Sequence, residues 1–104
     1  MLFRSEQTIA ADPENADALL LLGMADFELD RREASMKALH QALKLDALRA
    51  ARAHIYLANI YARGREYLKA ADELHAYLEA VPADPEAAEL KKVEARWRAA
   101  PHAP

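Results

Sequence analysis

The side chains best suited to chemistry are four widely spaced histidines: His40, His54, His75 and His102. We match none of them with a second histidine or a carboxylate at the spacing that metal ligands take on a helix. Ser5 and Ser35 have no neighbouring base that would turn a hydroxyl into a nucleophile. Asp72 and Glu73 are typical of exposed acids on a helix, and no glycine-rich phosphate loop is present. The sequence therefore predicts a protein that is not an enzyme and holds no metal or cofactor.

The composition favours helices. Ala and Leu dominate the apolar residues of the 104-residue chain, whereas β-branched residues and glycine are few. Because Ala, Leu, Glu, Lys and Arg lose little rotamer freedom in a helix, we predict an all-α chain with the size of one domain. Cysteine is absent, which excludes disulfides and thiolate zinc sites.

Charge and hydropathy limit the partners of the chain. A formal net charge of −3 has the wrong sign for holding phosphate backbones, so we expect no nucleic acid partner. No run approaches the roughly 20 apolar residues of a membrane span, and residues 1–4 do not resemble a signal peptide. Neither nucleic acid nor a membrane span is therefore expected, while the compartment stays open. The high Ala and Arg content is typical of GC-rich bacteria.

Helix boundaries are predicted from apolar residues spaced by three and four and from the turn residues between them. Residues 12–15 (DPEN) and 84–86 (DPE) predict turns into helices, because Asp and Asn cap helix starts and proline fits the first turn. The first long apolar stretch breaks at residues 30–31 and the second at 63–65. The predicted helices cover about residues 2–11, 16–29, 32–45, 49–62, 66–80 and 86–99.

An offset of 35 residues relates two predicted helical hairpins. It places residues of similar size on each other: Leu22 on Leu57, Gly23 on Ala58, Ser35 on Ala70, Leu39 on Leu74 and Leu43 on Leu78. The pattern resembles the tetratricopeptide repeat, which reads aromatic-x2-Leu-Gly-x2-Tyr, Ala-x3-Phe and Pro over about 34 residues. The likeness covers about residues 1–85. The chain departs from it with Asp26 for the tyrosine, Ala47 for the proline and one inserted residue near 47–50.

The resemblance implies a right-handed α-solenoid of antiparallel helix pairs with a C-terminal capping helix. The single domain would comprise a half repeat, two repeats, the capping helix and a frayed tail, at residues 1–13, 16–49, 51–84, 85–100 and 101–104. A half repeat at the start implies that the natural protein is longer. His54 falls where the family has a large core side chain, and Trp97 is expected to pack in the cap.

In this family, the first helices of successive repeats line a concave groove that holds a peptide or a helix of a partner. Carried over by the repeat alignment, the groove residues are Asp17, Leu20, Met24, Phe27, Glu28, Arg52, Ile55, Asn59 and Arg63. Their apolar middle and charged ends suit an amphipathic helix or an extended apolar segment. Asn59 would hydrogen-bond a partner backbone. Leu20 takes the place of a lysine in relatives that bind chaperone tails, so we expect no such binding.

Two alternatives concern individual residues. Leu20 and Ile55 either face a partner or pack against neighbouring helices. Residues 12–30 contain acids and no bases, whereas residues 47–65 contain bases and no acids. These charges would either form pairs between helices or present an acidic strip to a basic partner. The pairs expected from stacked hairpins are Asp17 with Arg52 and Glu28 with Arg63.

A further alternative concerns the function itself. The chain either acts as a scaffold or adaptor that offers its groove to another protein, or it forms a homodimer. An incomplete first repeat would expose a helical face that normally meets a preceding helix, and such a face favours a second chain. The sequence does not identify the partner, the pathway or the oligomeric state.

Overall fold

The computed structural model describes residues 15–101. Within this range the chain forms five α-helices and no strand: α1 (Ala16–Glu28), α2 (Arg32–Leu45), α3 (Ala53–Arg63), α4 (Tyr67–Ala80) and α5 (Ala87–Ala99). The all-α prediction is confirmed over these residues. The predicted helix at residues 2–11 and the last three residues of the predicted tail lie outside the described range.

Side-chain hydrogen bonds of Asn15 and Asp84 lie just before two of the helices. The side chain of Asn15 accepts a hydrogen bond from the backbone N–H of Ala18 at 3.0 Å, which caps the start of α1 as predicted. The Asp84 Oδ1 accepts the backbone N–H of Glu86 at 2.7 Å, and α5 begins one residue later, at Ala87. The Asn15 bond is a true N-cap, whereas Asp84 forms a turn ahead of α5, whose N-cap residue Glu86 makes no side-chain cap bond.

The helix predicted from residue 49 begins later, at Ala53. Residues 47–52 form turns instead, because one helical turn begins at Asp46 and is not continued. The Asp46 Oδ1 accepts the N–H of Arg49 at 3.1 Å, and the Asp46 carbonyl accepts the N–H of Ala50 at 2.9 Å. These two bonds are those of a helix N-cap. The N–H groups of Ala51 and Ala53 then bond to the carbonyls of Leu48 and Ala50, three residues back, at 3.3 and 2.8 Å, so the α-helical pattern is interrupted before α3 begins.

The first hairpin turns at Asp30, whose backbone lies in the left-handed region with φ of 59°. The N–H of Asp30 donates to the carbonyl of Phe27 at 3.0 Å, and the N–H of Arg31 donates to the carbonyl of Asp26 at 2.8 Å. This pair of hydrogen bonds is a Schellman motif, which ends α1 and satisfies two of its last carbonyls.

The second hairpin repeats this turn at Arg65, with φ of 62°. The N–H of Arg65 donates to the carbonyl of Ala62 at 3.0 Å, and the N–H of Glu66 donates to the carbonyl of Tyr61 at 2.9 Å. Every residue in these two bonds lies 35 positions after its counterpart in the first turn. The offset found in the sequence is therefore also an offset between equivalent backbone turns.

The chain divides into two compact units, residues 1–53 and 54–104. In the first unit, α1 packs against α2, and the two helices approach each other closely at Gly23. A Cβ atom there would lie 2.5 Å from Cδ2 and 2.6 Å from Cγ of the fully buried Leu39. The Ser35 hydroxyl, also fully buried, donates to the Gly23 carbonyl at 2.7 Å. Glycine therefore lets the two helices approach closely enough for this bond.

The second unit has its core in α3 and α4. Its buried residues include the counterparts of the first hairpin's contact: Ala58, Ala70 and Leu74. Helix α5 packs against α4, yet none of its residues is fully buried. Its apolar positions Leu90, Val93 and Trp97 are each half-buried, so this helix is held less deeply than the others in the unit.

Candidate binding surface

Five of the predicted groove residues lie on α1. The buried positions of this helix are Ala16, Leu19, Gly23 and Asp26. At about 100° per residue, Asp17, Met24 and Glu28 fall on the opposite side of the helix. Asp17 and Glu28 are exposed there, whereas Leu20, Met24 and Phe27 are half-buried.

Leu20 serves at least partly in packing. It contacts the buried cluster of Leu19, Ala42 and Ala50, as Leu43 does from α2. Because a side chain that packs on its own core offers less surface to a partner, the packing alternative is supported for Leu20. The exposed Leu21, by contrast, was not among the predicted groove residues although its side is the same as that of Asp17.

Asp17 forms an ion pair with Arg49. The Arg49 Nε lies 3.1 Å from Oδ1 and 2.9 Å from Oδ2 of the carboxylate, with both side chains more than half exposed. The predicted partner was Arg52. The turn at residues 47–52 replaces the expected first helical turn, and this places Arg49 beside Asp17 instead. A pair this exposed contributes at most about 1 kcal/mol to stability.

Asp26 occupies the position where the family pattern has tyrosine. It is buried, and its Oδ1 lies 3.7 Å from an Nη of Arg31 across the hairpin turn. The Asp26 carbonyl also accepts the N–H of Arg31. Arg31, directly before α2, therefore faces the buried carboxylate that takes the place of the tyrosine in the tetratricopeptide pattern.

The remaining four predicted groove residues lie at α3. The predicted boundary placed Arg52 on the helix. In the structure Arg52 is exposed in the turn before it. Ile55 is half-buried, and Arg63 ends the helix in an exposed position. The exposed Asn59 uses one amide N–H within its own helix, donating to the Ile55 carbonyl at 3.1 Å. The α1 and α3 residues belong to different units, so their meeting in one groove and the Glu28–Arg63 pair stay predictions.

A half-buried pair between α3 and α4 was missed by sequence reasoning. The His54 Nδ1 lies 2.7 Å from the Glu73 Oε1, and each side chain is only 20% exposed. The prediction that Glu73 is an exposed acid is wrong, and His54 is a hydrogen-bonding residue rather than a purely packing one. Spacing along the chain does not predict this contact, because the two residues are 19 positions apart on different helices.

A second set of polar contacts joins α4 to α5. An Nη of Arg98 lies 3.0 Å from Asp72 Oδ1, and its other Nη lies 3.0 Å from Glu94 Oε2. The hydrogen bonds with Asp72 and then Glu94 raise the pKa of Arg98, so its guanidinium stays charged. His75 lies 3.4 Å from Glu79 and 3.3 Å from Glu94. Glu79 lies four residues after His75, so it is a carboxylate at helical spacing from a histidine, which contradicts the expectation that none is present.

Within residues 15–101, no group of three or more His, Asp or Glu side chains is arranged to hold a metal ion. Every buried side-chain nitrogen and oxygen in that part of the chain has a hydrogen-bond partner. A wide-open depression of about 370 Å³ lies at the start of α2, lined by Arg31, Arg32, Glu33 and Ala34. None of the helices in the described range is long and apolar enough to cross a bilayer.

Comparison with family models, curated proteins and solved structures found no match to this chain. The tetratricopeptide resemblance therefore remains an interpretation of the sequence. The function has to be argued from the two equivalent hairpin turns, the close helix contact at Gly23 and the exposed side of α1.

Proposed function

We propose that the chain is a tetratricopeptide-like scaffold or adaptor, which binds a peptide or a helix of another protein and catalyses no reaction. The observation that carries this proposal is the identical Schellman turn at Asp30 and Arg65, 35 residues apart. Equivalent turns send the second helix of each hairpin back along the first in the same way. Equivalent hairpins are the building unit of a helical solenoid.

The proposed architecture is a right-handed solenoid in which α1 and α3 are the first helices of two repeats and α5 is the cap. Small buried residues at equivalent positions, Gly23 and Ala58, support the repeat. The cap is supported by α5 itself, which packs on α4 with a half-buried apolar stripe and exposes its lysines. Terminal repeats need such a polar outer side for solubility.

Peptide selection against the full chain, followed by NMR, tests this proposal. Peptides from a displayed random library would be titrated into ¹⁵N-labelled protein, and the shifts mapped to residues. We expect the shifts to concentrate on α1 and α3. Replacing the half-buried Met24 by Gln should weaken the selected peptides, whereas the control Lys37→Gln, on the exposed side of α2, should not. Peptides that shift only α2, or no selected binder at all, would contradict the proposal.

Self-association is the second candidate, favoured by exposed leucines in the first unit. Leu45 and Leu48, at and after the end of α2, are 42% and 72% exposed. Apolar side chains exposed close together in sequence are typical of surfaces that another chain covers. Light scattering over a concentration series decides between the candidates. A mass that rises with concentration supports the dimer, and a monomer up to millimolar concentration removes it.

A further inference from the structure

The side of α1 that points away from α2 carries an ordered set of residues, which we call the α1 outer stripe: Asp17, Leu21, Met24 and Glu28. Spaced by four, three and four residues, they fall within about 60° of one another around the helix. Leu21 is 60% exposed, and Met24 is half-buried beside it. The stripe is therefore a short apolar surface with one carboxylate at each end.

The charged residues of helix α1 itself have a single sign. Helix α1 contains no Lys, Arg or His, and the segment 12–30 adds further acids without a base. The first turn of α1 is acidic through Asp17 and its last turn holds no basic residue. A cation that approaches the Glu28 end of the stripe would therefore meet attraction without repulsion from the same helix. At the Asp17 end it would share the carboxylate with Arg49.

One end of the stripe already binds a cation of the chain itself. The Arg49 guanidinium lies within hydrogen-bonding distance of both carboxylate oxygens of Asp17. The Asp17 side chain is nevertheless 54% exposed. A carboxylate has about four acceptor positions, so the exposed side of Asp17 can accept a second donor. The pair shows that this end of α1 accommodates a guanidinium group.

We propose that the α1 outer stripe docks a basic amphipathic helix of a partner protein. This inference rests on the proposed binding function and names its partner chemistry. Asp17 and Glu28 are 11 residues apart, or roughly 16 Å along the helix axis. The partner helix would carry Lys or Arg at two positions with a similar separation, and apolar side chains between them would cover Leu21 and Met24.

Three designed helical peptides test the inference. They share the same apolar residues and differ only at two flanking positions, which carry Lys, Gln or Glu. Binding to the full chain would be measured by fluorescence anisotropy at low and at physiological salt. We expect the Lys peptide to bind at least roughly fivefold tighter than the Gln peptide, the Glu peptide to bind weakest, and the differences to shrink with salt.

Charge variants locate the effect. Glu28→Lys should weaken the Lys peptide roughly fivefold or more and favour the Glu peptide. The matched control Glu33→Lys changes the net charge equally but lies on α2, and it should alter affinity less than twofold.

Leu21→Ser should weaken all three peptides. Arg49→Ala should tighten the Lys peptide, since it removes the internal competitor for Asp17. Circular dichroism would check that each variant remains folded.

Each outcome has a defined meaning. Equal affinity for the Lys and Glu peptides, or an equal loss in Glu28→Lys and Glu33→Lys, would overturn the basic-helix inference. So would the absence of α1 shifts with the Lys peptide at millimolar concentration. None of these results by itself overturns the binding function, which fails only if the unbiased peptide selection also yields no binder at α1 and α3.

Discussion

Gly23 is the residue on which the contact between α1 and α2 depends. Two opposing effects act there. Alanine is a better helix former than glycine by about 1 kcal/mol, which favours replacement. A Cβ atom would overlap the side chain of Leu39, which is fully buried. Overpacking a core costs about 1–3 kcal/mol, so the steric effect should be the larger.

We therefore predict that Gly23→Ala lowers the free energy of unfolding by about 1 kcal/mol. Urea unfolding followed by circular dichroism measures this change. In a Leu39→Ala background the overlaps with Cδ2 and Cγ are gone, and only the 3.3 Å approach to the backbone nitrogen of residue 39 remains. The same substitution should then stabilise the protein, by up to about 1 kcal/mol. A Gly23→Ala variant that is more stable than the wild type would show that the helices are farther apart than described.

Arg65 shows that the left-handed position of the second turn is not occupied by the neighbouring glycine. Arg65 has φ of 62°, whereas Gly64 does not have positive φ. A non-glycine residue in this region is strained by about 1–2 kcal/mol, because its Cβ approaches the following carbonyl. Gly64 increases the conformational entropy of the unfolded chain, which lowers stability, although its folded backbone does not need a glycine.

Two substitutions should therefore stabilise the protein in the same turn. Arg65→Gly is expected to raise the free energy of unfolding by about 0.5–1 kcal/mol through relief of strain. Gly64→Ala is expected to raise it by about 0.4–1 kcal/mol through the unfolded state. Thermal and urea unfolding measure both. Strong destabilisation by Gly64→Ala would mean that Gly64, not Arg65, is the left-handed residue.

At the scale of elements, α5 differs from the other described helices in how it is held. Each of α1 to α4 buries several side chains, whereas α5 buries none completely and contacts α4 partly through Arg98 and Glu94. Exposed ion pairs stabilise little, and salt screens them. Helix α5 should therefore open more readily than the helix it packs against.

Hydrogen exchange tests this expectation. We predict that the central amides of α5 exchange faster than those of α4, because local opening of α5 exposes little buried apolar surface. The difference should grow at high salt, which weakens the polar contacts of Arg98. Equal protection of the two helices at all salt concentrations would contradict the prediction.

At the scale of the whole molecule, the proposed solenoid has a thermodynamic consequence. In a repeat protein, each hairpin is stabilised by its neighbours, so damage to one lowers the stability of the next. Leu39 and Leu74 are equivalent buried leucines in the two hairpins, and each is almost inaccessible to solvent. They provide matched positions for testing whether the hairpins unfold together.

We predict that Leu39→Val, which should cost about 1 kcal/mol, reduces amide protection in α3 and α4 as well as in α1 and α2. Leu74→Val should likewise reduce amide protection in α1 and α2 as well as in α3 and α4. Hydrogen exchange with residue resolution measures both variants. If each substitution affects only its own hairpin, the two units fold independently and the stacked repeat is wrong.

Much of the secondary structure could be predicted because its causes are local. The cap at Asn15, the turn at Asp84 and the breaks at residues 30 and 65 involve groups a few positions apart, so their residue types reveal them. The start of α3 was missed by four residues because the helical turn that begins at Asp46 is not continued. The N–H groups of Ala51 and Ala53 bond to carbonyls three residues back, and the residue types at 47–52 do not reveal this change.

The sequence by itself determined the helices, their order and the 35-residue offset between equivalent hairpin turns. Only the tertiary structure decided which side chains meet: Asp17 with Arg49, His54 with Glu73, and Gly23 with Leu39. The physical reason is that hydrophobic spacing sets which side of a helix is buried, and therefore its approximate rotation. Contacts between distant residues depend on ångström-scale differences in helix start and separation, which spacing along the chain does not encode.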